Sequence, residues 1–187
     1  HLNARKNPFF DHADIKFWLA RRGDRPVGRI SAQVNHAYLK QYGDATGHFG
    51  FIEAEDNSET FAALLGAAEE WLREMSMRRV TGPFSLSINE EAGLLVEGFE
   101  EPPSIMMGHA RSYYGDRIEE AGYKRVKDLI CYRYMTDLEI PPQVSGFLKK
   151  AKQIDGLIIR QLDMRHYRAE LANIIDIFND AWSDNWG

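Results

Sequence analysis

The sequence predicts an α+β fold in which helices flank a mixed, twisted central sheet. Three observations support this class. Residues 27–34 alternate apolar and polar side chains with the two-residue period of a strand. Between residues 61 and 75 the apolar side chains recur every three or four positions, which is the spacing of a helix with one buried stripe. Turn residues at 22–26, among them Gly23 and Pro26, separate the first two strand-like segments.

Composition limits the class of protein. The chain has 187 residues, of which 44% are hydrophobic and 27% charged, the balance of a globular protein with room for one domain and part of another. Its formal charge is -5 and its basic residues are scattered in pairs, so we expect no nucleic-acid partner. No apolar run reaches the roughly 20 residues of a membrane helix, and no signal sequence opens the chain, so we expect a cytoplasmic protein without a membrane partner.

The cysteine and histidine residues suggest no special chemistry. The single cysteine, Cys131, lies between apolar and aromatic neighbours, which predicts a buried thiol. The histidines His36, His48 and His109 lack the spacing of metal ligands, so no metal site is expected.

The first half of the chain divides into clear elements. Strands over residues 15–20 and 27–34 flank turn residues and predict a β-hairpin, and residues 35–46 predict a loop or one short helical turn. A third, central strand is predicted over residues 48–54. Asp56 or Ser58, with Glu59 in a capping-box arrangement, would begin the long helix. Residues 79–84 return to an extended form, in which Pro83 would end any regular strand pairing.

The second half is more broken. Residues 85–108 predict a large loop, residues 110–121 a helix that ends at Gly122, and residues 126–135 a strand. Residues 137–156 contain Pro141, Pro142 and Gly146 and predict a linker. A strand over residues 157–162 and an amphipathic helix over residues 167–182 follow.

This order of elements resembles the central part of the GNAT-type N-acyltransferases. Residues 48–54 match the family's fourth strand, residues 59–77 its third helix and residues 79–86 its fifth strand, while Ala121-Gly122-Tyr123 stands where the family often has a glycine-aromatic pair. The resemblance implies that residues 1–136 are a GNAT-like unit without its first strand and helix. Residues 157–187 resemble the first strand and helix of a second such unit, or a segment that folds back and completes the first.

The resemblance implies transfer of an acyl group from acetyl-CoA or another acyl-CoA to an amine. The family holds the coenzyme's diphosphate on a glycine-containing turn before its third helix. Here that turn is Ala54-Glu55-Asp56-Asn57-Ser58-Glu59-Thr60, which has three carboxylates and no glycine. Bulky side chains and repulsion of about 0.5 to 1 kcal/mol for each carboxylate oppose a phosphate there. We therefore expect a unit that is degenerate at its phosphate loop, and the cofactor-binding residues stay unassigned.

The candidate site residues follow from the same resemblance. The family's general acid is often a tyrosine four residues before the glycine-aromatic pair, where this chain has Ile118. Tyr114 lies one turn earlier on the same helix face and is the candidate catalytic residue, with packing under the loop as the alternative. Ser87 and Asn89, with Tyr113, are candidates for lining a substrate cleft, or else the first two form a turn.

Apolar residues in the 94–107 loop predict a partner surface. The loop could pack on a second GNAT-like unit, on a second copy of the chain, or form a groove for a small-molecule substrate. Two functions from different classes stay open: an N-acyltransferase, and a non-catalytic GNAT-like binding or scaffold domain. A relative of the aminoacyl-transferring enzymes, which also pair units of this fold, is a third.

Overall fold

The computed structural model describes residues 2–133, 135, 137, 141–151, 154–158 and 160–182. The chain divides into two units, residues 1–127 and 128–187, and each is described by itself. The first unit holds every strand of the described residues, and the second unit holds two helices. The predicted domain boundaries at residues 136 and 157 stay predictions.

Six strands build the described part of the first unit. A four-stranded sheet has the order β1-β2-β3-β4, and β5 and β6 form a separate two-stranded antiparallel sheet. β1 and β2 pair antiparallel, as do β2 and β3, whereas β3 and β4 pair parallel, so the main sheet is mixed, as predicted. The bounds are β1 Ala13–Arg22, β2 Arg25–Asn35, β3 Thr46–Ala54, β4 Arg79–Thr81, β5 Phe84–Ser85 and β6 Glu91–Ala92.

Five α-helices complete the described structure, which is therefore a mixed α+β fold. Three lie in the first unit and two in the second, and short 3-10 turns cover Pro8–Asp11 and Met164–His166. The bounds are α1 His36–Tyr42, α2 Ser58–Glu74, α3 Tyr114–Glu120, α4 Pro142–Ala151 and α5 Tyr167–Trp182. No helix among the described residues is both long enough and apolar enough to cross a membrane.

The predicted hairpin is confirmed and is longer than the pattern indicated. β1 and β2 meet at a two-residue turn in which Gly23 has φ +62, a left-handed conformation that glycine adopts without strain. Ile30, Ala32 and Val34 of β2 are buried under α2, as the two-residue period predicted. β3 lies between β2 and β4, which confirms its predicted central position.

β3 changes character halfway along its length. Its parallel pairing with β4 covers only residues 46–48, and its register with β2 shifts between Arg29 and Ser31. Phe51 has φ +47, an uncommon value for a bulky residue, and lies at this irregularity. The carboxyl half of β3 therefore continues along β2 beyond the end of its ladder with β4.

α2 supplies the main core and confirms the predicted long helix. Its buried residues are Thr60, Phe61, Leu64, Leu65, Ala68 and Leu72. The predicted cap was wrong: the side chain of Asn57, rather than Asp56 or Ser58, accepts the backbone N–H of Thr60 at 2.9 Å. Asn57 has extended φ and ψ, so its short amide side chain reaches the first turn of the helix.

Several other predictions differ from the structure. Residues 36–42 form a full helix because Asn35 caps it through the N–H groups of Ala37 and Tyr38. The helix predicted over residues 110–121 begins only at Tyr114. The predicted strand over residues 126–135 is irregular wherever the structure describes it, and residue 134 lies outside the described residues.

The second unit also differs from the predicted structure. Residues 157, 158 and 160–162 form no strand, residue 159 lies outside the described part, and the predicted linker contains α4. The amphipathic helix is confirmed as α5. Cys131, predicted to be buried, is exposed. Among the residues of this unit whose burial the structure describes, none is buried, so no apolar core surrounds the thiol.

Candidate functional site

Two tyrosines meet the last residue of β3. The hydroxyl of Tyr114 accepts the backbone N–H of Ala54 at 3.2 Å, and the hydroxyl of Tyr113 donates to the carbonyl of Ala54 at 2.8 Å. Both backbone groups of Ala54 are thus bound by side chains at the start of α3. The tyrosines occupy the place that a further strand, or an extended ligand, would take along the open edge of β3.

Tyr114 is buried at this position. Phe61 of α2 packs against it with ring centroids 5.3 Å apart, and burial raises the pKa of the Tyr114 phenol above its usual range, partly offset by the Ala54 N–H. The phenol therefore stays protonated at neutral pH and is a weaker acid than a free tyrosine. Its catalytic role stays a prediction, and so does the role of Tyr113 in a cleft.

A pocket of about 310 Å³ opens beside Tyr114. Apolar side chains of the hairpin form one wall, and an ion pair between Arg29 and Glu53, 3.0 Å apart, borders another. The lining residues are Leu19, Pro26, Val27, Gly28, Arg29, Glu53, Ala54 and Tyr114. Of the four predicted site residues, only Tyr114 lines this pocket.

The acidic turn between β3 and α2 is more neutral than its sequence indicates. Arg25 lies 2.7 Å from the carboxylate of Glu55, and Arg117 of α3 lies 2.8 Å from that of Asp56. Arg22 lies between Glu55 and Glu59, at 3.5 and 3.6 Å. These arginines come from the hairpin and from α3, so their convergence on the turn was not readable from the local sequence. They reduce the repulsion of an anion, but they are already engaged with carboxylates.

The turn nevertheless does not fit a diphosphate in the family's usual way. The side chain of Asn57 already accepts a hydrogen bond from the Thr60 N–H at the start of α2. The hydroxyl of Ser58 donates to the carboxylate of Glu120 at 2.7 Å. A phosphate that approached these amides would meet side chains rather than the bare backbone of a glycine turn.

Ser87 and Asn89 lie in a turn after β5. The N–H of Ser87 donates to the carboxylate of Glu90 at 3.2 Å, and the N–H of Asn89 donates to the hydroxyl of Ser87 at 3.2 Å. Asn89 is exposed and Ser87 is half-buried. These bonds are those of turn-forming residues, and a role in a substrate cleft stays a prediction for both.

A row of polar side chains crosses the other face of the sheet, opposite α2. We call Ser31, Gln33, His48 and Thr81 the polar row. Gln33 and His48 are register partners on β2 and β3, and His48 in turn pairs with Thr81 on β4. Ser31 and Gln33 are fully buried and His48 nearly so. The two-residue alternation of residues 27–34 places Ser31 and Gln33 on the polar face of β2, and it does not indicate that they are buried.

His48 is neutral at physiological pH. Its Nδ1 lies 2.9 Å from the hydroxyl of Thr81, and the rings of Tyr38 and Phe84 pack edge-on against it with centroids 5.0 and 4.9 Å away. Burial among these groups lowers the pKa of His48 to about 4. The imidazole is therefore available for neutral hydrogen bonding at pH 7. Among the described residues, no group of His, Cys, Asp and Glu side chains is arranged to hold a metal ion.

Comparisons with known proteins find two close relatives. Over 187 residues the chain is 47% identical to a protein of Caulobacter vibrioides (strain NA1000 / CB15N) named Bacterial ceramide synthase. Over 188 aligned positions it is 40% identical to Protein YghO of Escherichia coli (strain K12). All of the chain is covered in both cases, but only 48% and 47% of the relatives. The chain thus spans about half the length of these curated relatives.

The other two comparisons are negative. No protein-family model matches the chain, and no solved structure matches it.

Proposed function

We propose that the protein forms amide bonds by transferring an acyl group from an acyl-CoA to an amine, as a member of the GNAT-type N-acyltransferases. The observation that carries the proposed amide formation is the 47% identity, over the whole chain, with a relative named as a ceramide synthase. The order of strands and helices supports the GNAT-type membership. A ceramide is an amide of a fatty acid with a long-chain amino alcohol. We therefore propose a long-chain amino alcohol as the amine and a fatty acyl thioester as the donor.

The fold is compatible with this proposal. The mixed sheet carries a parallel pair, β3 and β4, that stops after three residues, and the long helix α2 follows directly from β3. The expected family order places its central strand, its third helix and its fifth strand in the same sequence.

The chemistry needs no metal. The amine nitrogen attacks the thioester carbonyl carbon, a C–N bond forms, the C–S bond breaks, and the thiolate leaves with the electron pair. One proton is lost from the nitrogen and one is gained by the sulfur, so the two transfers balance. A neutral tyrosine such as Tyr114 would supply the second proton and be reprotonated from solvent.

The alternative is a unit that binds or supports but does not catalyse. Its specific support is that Tyr113 and Tyr114 already bind the carbonyl and N–H of Ala54, and that the turn after β3 has no glycine. In that case this unit is degenerate at its phosphate loop, and the reaction of the relatives takes place in the half of their length that this chain does not cover.

Amide formation by purified protein tests the proposal. We expect the full-length protein, incubated with palmitoyl-CoA and sphinganine, to release thiol and to form an amide that mass spectrometry detects. Sphingosine acylated beforehand on its nitrogen is the control, since it offers no free amine. Absence of amide from the full-length protein contradicts the acyltransferase proposal, whereas amide from the full-length protein but not from the 187-residue chain supports the non-catalytic reading of this unit.

Calorimetry of coenzyme A binding tests the phosphate loop directly. Replacing Glu55 and Asp56 by glycine removes two carboxylates and opens the turn, so we expect tighter binding of coenzyme A than in the wild type. Replacing Glu97 and Glu100 by glycine is the control, because it removes equal charge from the exposed loop. An unchanged affinity in the first variant means that the turn is not the diphosphate site.

A further inference from the structure

The polar row contains two buried oxygens that lack a hydrogen-bond partner. Ser31 is 0% exposed and Gln33 is 1% exposed. Among the described residues nothing donates to or accepts from the Ser31 hydroxyl, and nothing donates to Oε1 of Gln33. Buried polar atoms are almost always hydrogen-bonded in folded proteins, so two such atoms on one strand face indicate that a donor from outside the chain completes them.

The orientation of the Gln33 amide is fixed by its other end. Nε2 of Gln33 donates to the backbone carbonyl of Leu86. A carbonyl accepts but does not donate, so exchanging the amide nitrogen and oxygen would place two acceptors face to face. The unpartnered atom is therefore the oxygen, and it requires a ligand that donates hydrogens.

A short segment, residues 84–86, covers the row. The backbone of Phe84 lies against Gly50, the register partner of Ser31, so closely that a Cβ on Gly50 would be 1.8 Å from the Phe84 carbonyl oxygen. Leu86 has φ +85, a left-handed value that is rare for leucine. Ser85 holds the cover to β3 by accepting the N–H of Phe51 at 3.3 Å. These contacts hold the cover on the row, so binding of a ligand at the row would require the cover to move.

The groups of the row select the chemistry of the ligand. None of its four side chains is a carboxylate or a permanent cation, and burial keeps His48 neutral at pH 7. Ser31 and Gln33 lie two residues apart on β2, which separates them by about 7 Å along the strand. A small group with several N–H and O–H donors can donate to both oxygens, whereas an anion or an apolar chain cannot.

We propose that the polar row binds the amino-alcohol end of the amine acceptor with its amine in the neutral form that attacks a thioester, the Ser31 hydroxyl and Oε1 of Gln33 accepting its N–H and O–H hydrogens. The identity of the ligand rests on the proposed function. The presence of two buried oxygens that lack a hydrogen-bond donor does not. A buried water molecule is the competing occupant, because it also donates two hydrogen bonds.

Binding of serinol, 2-amino-1,3-propanediol, to the 187-residue chain tests the site without any acyl donor. We expect serinol to shift the NMR signals of residues in the row and to raise the melting temperature, and 1,3-propanediol, which lacks the amine, to bind more weakly. Ser31→Ala and Gln33→Met should each weaken serinol binding by about tenfold. Thr60→Val, which removes a buried hydroxyl on the α2 side of the sheet, is the control and should leave the affinity unchanged.

The outcomes separate this inference from the proposed function. Serinol binding that is lost in both variants supports the site even if the full-length protein forms no amide. Amide formation with an unchanged KM for the amine in Ser31→Ala contradicts the site and leaves the acyltransferase proposal intact. If both variants lower the melting temperature while serinol affinity stays the same, or if the wild type binds no serinol, the row holds an internal water only and the inference is wrong.

Discussion

α2 and α5 are two amphipathic helices of nearly equal length that differ in burial: the apolar face of α2 is buried, and that of α5 is exposed. α2 has 17 residues and buries six of them, including Phe61 and Leu72 at 0% exposure. α5 has 16 residues and buries none. Its apolar stripe is exposed throughout, from 38% at Leu171 to 55% at Trp182. The stripe of α5 consists of Leu171, Ile174, Ile175, Phe178 and Trp182.

The difference teaches what a periodic apolar pattern specifies. In both helices the pattern determines which face is apolar, because residues three and four apart lie on one side. It does not determine which surface covers that face. α2 follows β3 directly and packs back on β2 and β3, whereas the second unit contains no strand among its described residues. An isolated helix of this length is only marginally stable in water, so most of its stability comes from packing of its apolar face. α2 has that packing, whereas the apolar stripe of α5 is exposed.

The largest loss of stability is expected at Gly50, where the backbones of β3 and Phe84 approach most closely. Gly50→Ala would place a methyl group 1.8 Å from the Phe84 carbonyl oxygen, a backbone atom that cannot move aside cheaply. We expect it to lower the free energy of unfolding by about 3 kcal/mol or more. Gly66→Ala, in α2 with nothing within 4 Å, is the matched control and should raise it by about 0.5 to 1 kcal/mol. Urea denaturation measures both, and equal effects would mean that Phe84 does not lie on Gly50.

A pair of leucine substitutions tests the two helices against each other. Leu72→Ala in α2 removes a fully buried side chain and should destabilise the chain by about 2 to 5 kcal/mol. Leu171→Ala in α5 removes a partly exposed one and should change the stability by less than about 0.5 kcal/mol. Chemical denaturation of the two variants measures the difference. A large loss for Leu171→Ala would show that the stripe of α5 is covered in solution.

The first unit also buries a titratable group. Because burial lowers the pKa of His48 from 6.5 to about 4, the unfolded chain binds a proton between these pH values that the folded chain does not. Stability should therefore be complete above pH 6.5 and fall by about 3 kcal/mol as the pH drops to 4. In His48→Phe this part of the pH dependence should disappear. Denaturation curves between pH 4 and 7 measure it, and an unchanged slope in the variant would assign the effect to other groups.

The smallest expected effect concerns the start of α2. Asn57→Ala removes the side chain that accepts the Thr60 N–H, and it should lower the free energy of unfolding by about 1 kcal/mol. Asp56→Ala and Ser58→Ala, at the two positions that the sequence suggested as caps, should cost less because neither bonds a helix N–H in the structure. Thermal unfolding ranks the stabilities of the three variants. A larger loss of stability for Asp56→Ala would indicate that Asp56, as the capping box predicted, caps α2.

Local patterns predicted much of the first unit. The alternation of residues 27–34 gave β2, turn residues gave its hairpin with β1, and the apolar spacing of residues 61–75 gave α2, because each of these signals acts within a few residues. The helix cap was misassigned because Asp56, Asn57 and Ser58 are all good caps and only the backbone angles select one. The predicted strands at residues 126–135 and 157–162 did not form in the described structure, because strand-forming residues still need a neighbouring strand.

The candidate sites depended more on tertiary structure. Tyr113 and Tyr114 were singled out from the sequence, but their bonds to Ala54 span 59 and 60 residues of chain. Likewise, the arginines that meet the acidic turn come from β1, β2 and α3. The carboxylates of the turn can be read from the sequence, whereas their arginine partners depend on contacts between distant segments.

The sequence by itself determined the α+β class, the hairpin, the central strand, the long helix and the absence of a glycine phosphate turn, because all of these are properties of neighbouring residues. The tertiary structure decided that Ser31 and Gln33 are buried rather than solvated, since residues 84–86 cross over them from more than 50 positions away. It also decided that the two tyrosines meet β3. Burial and partnership of polar groups are set by contacts between distant segments, which no local period records.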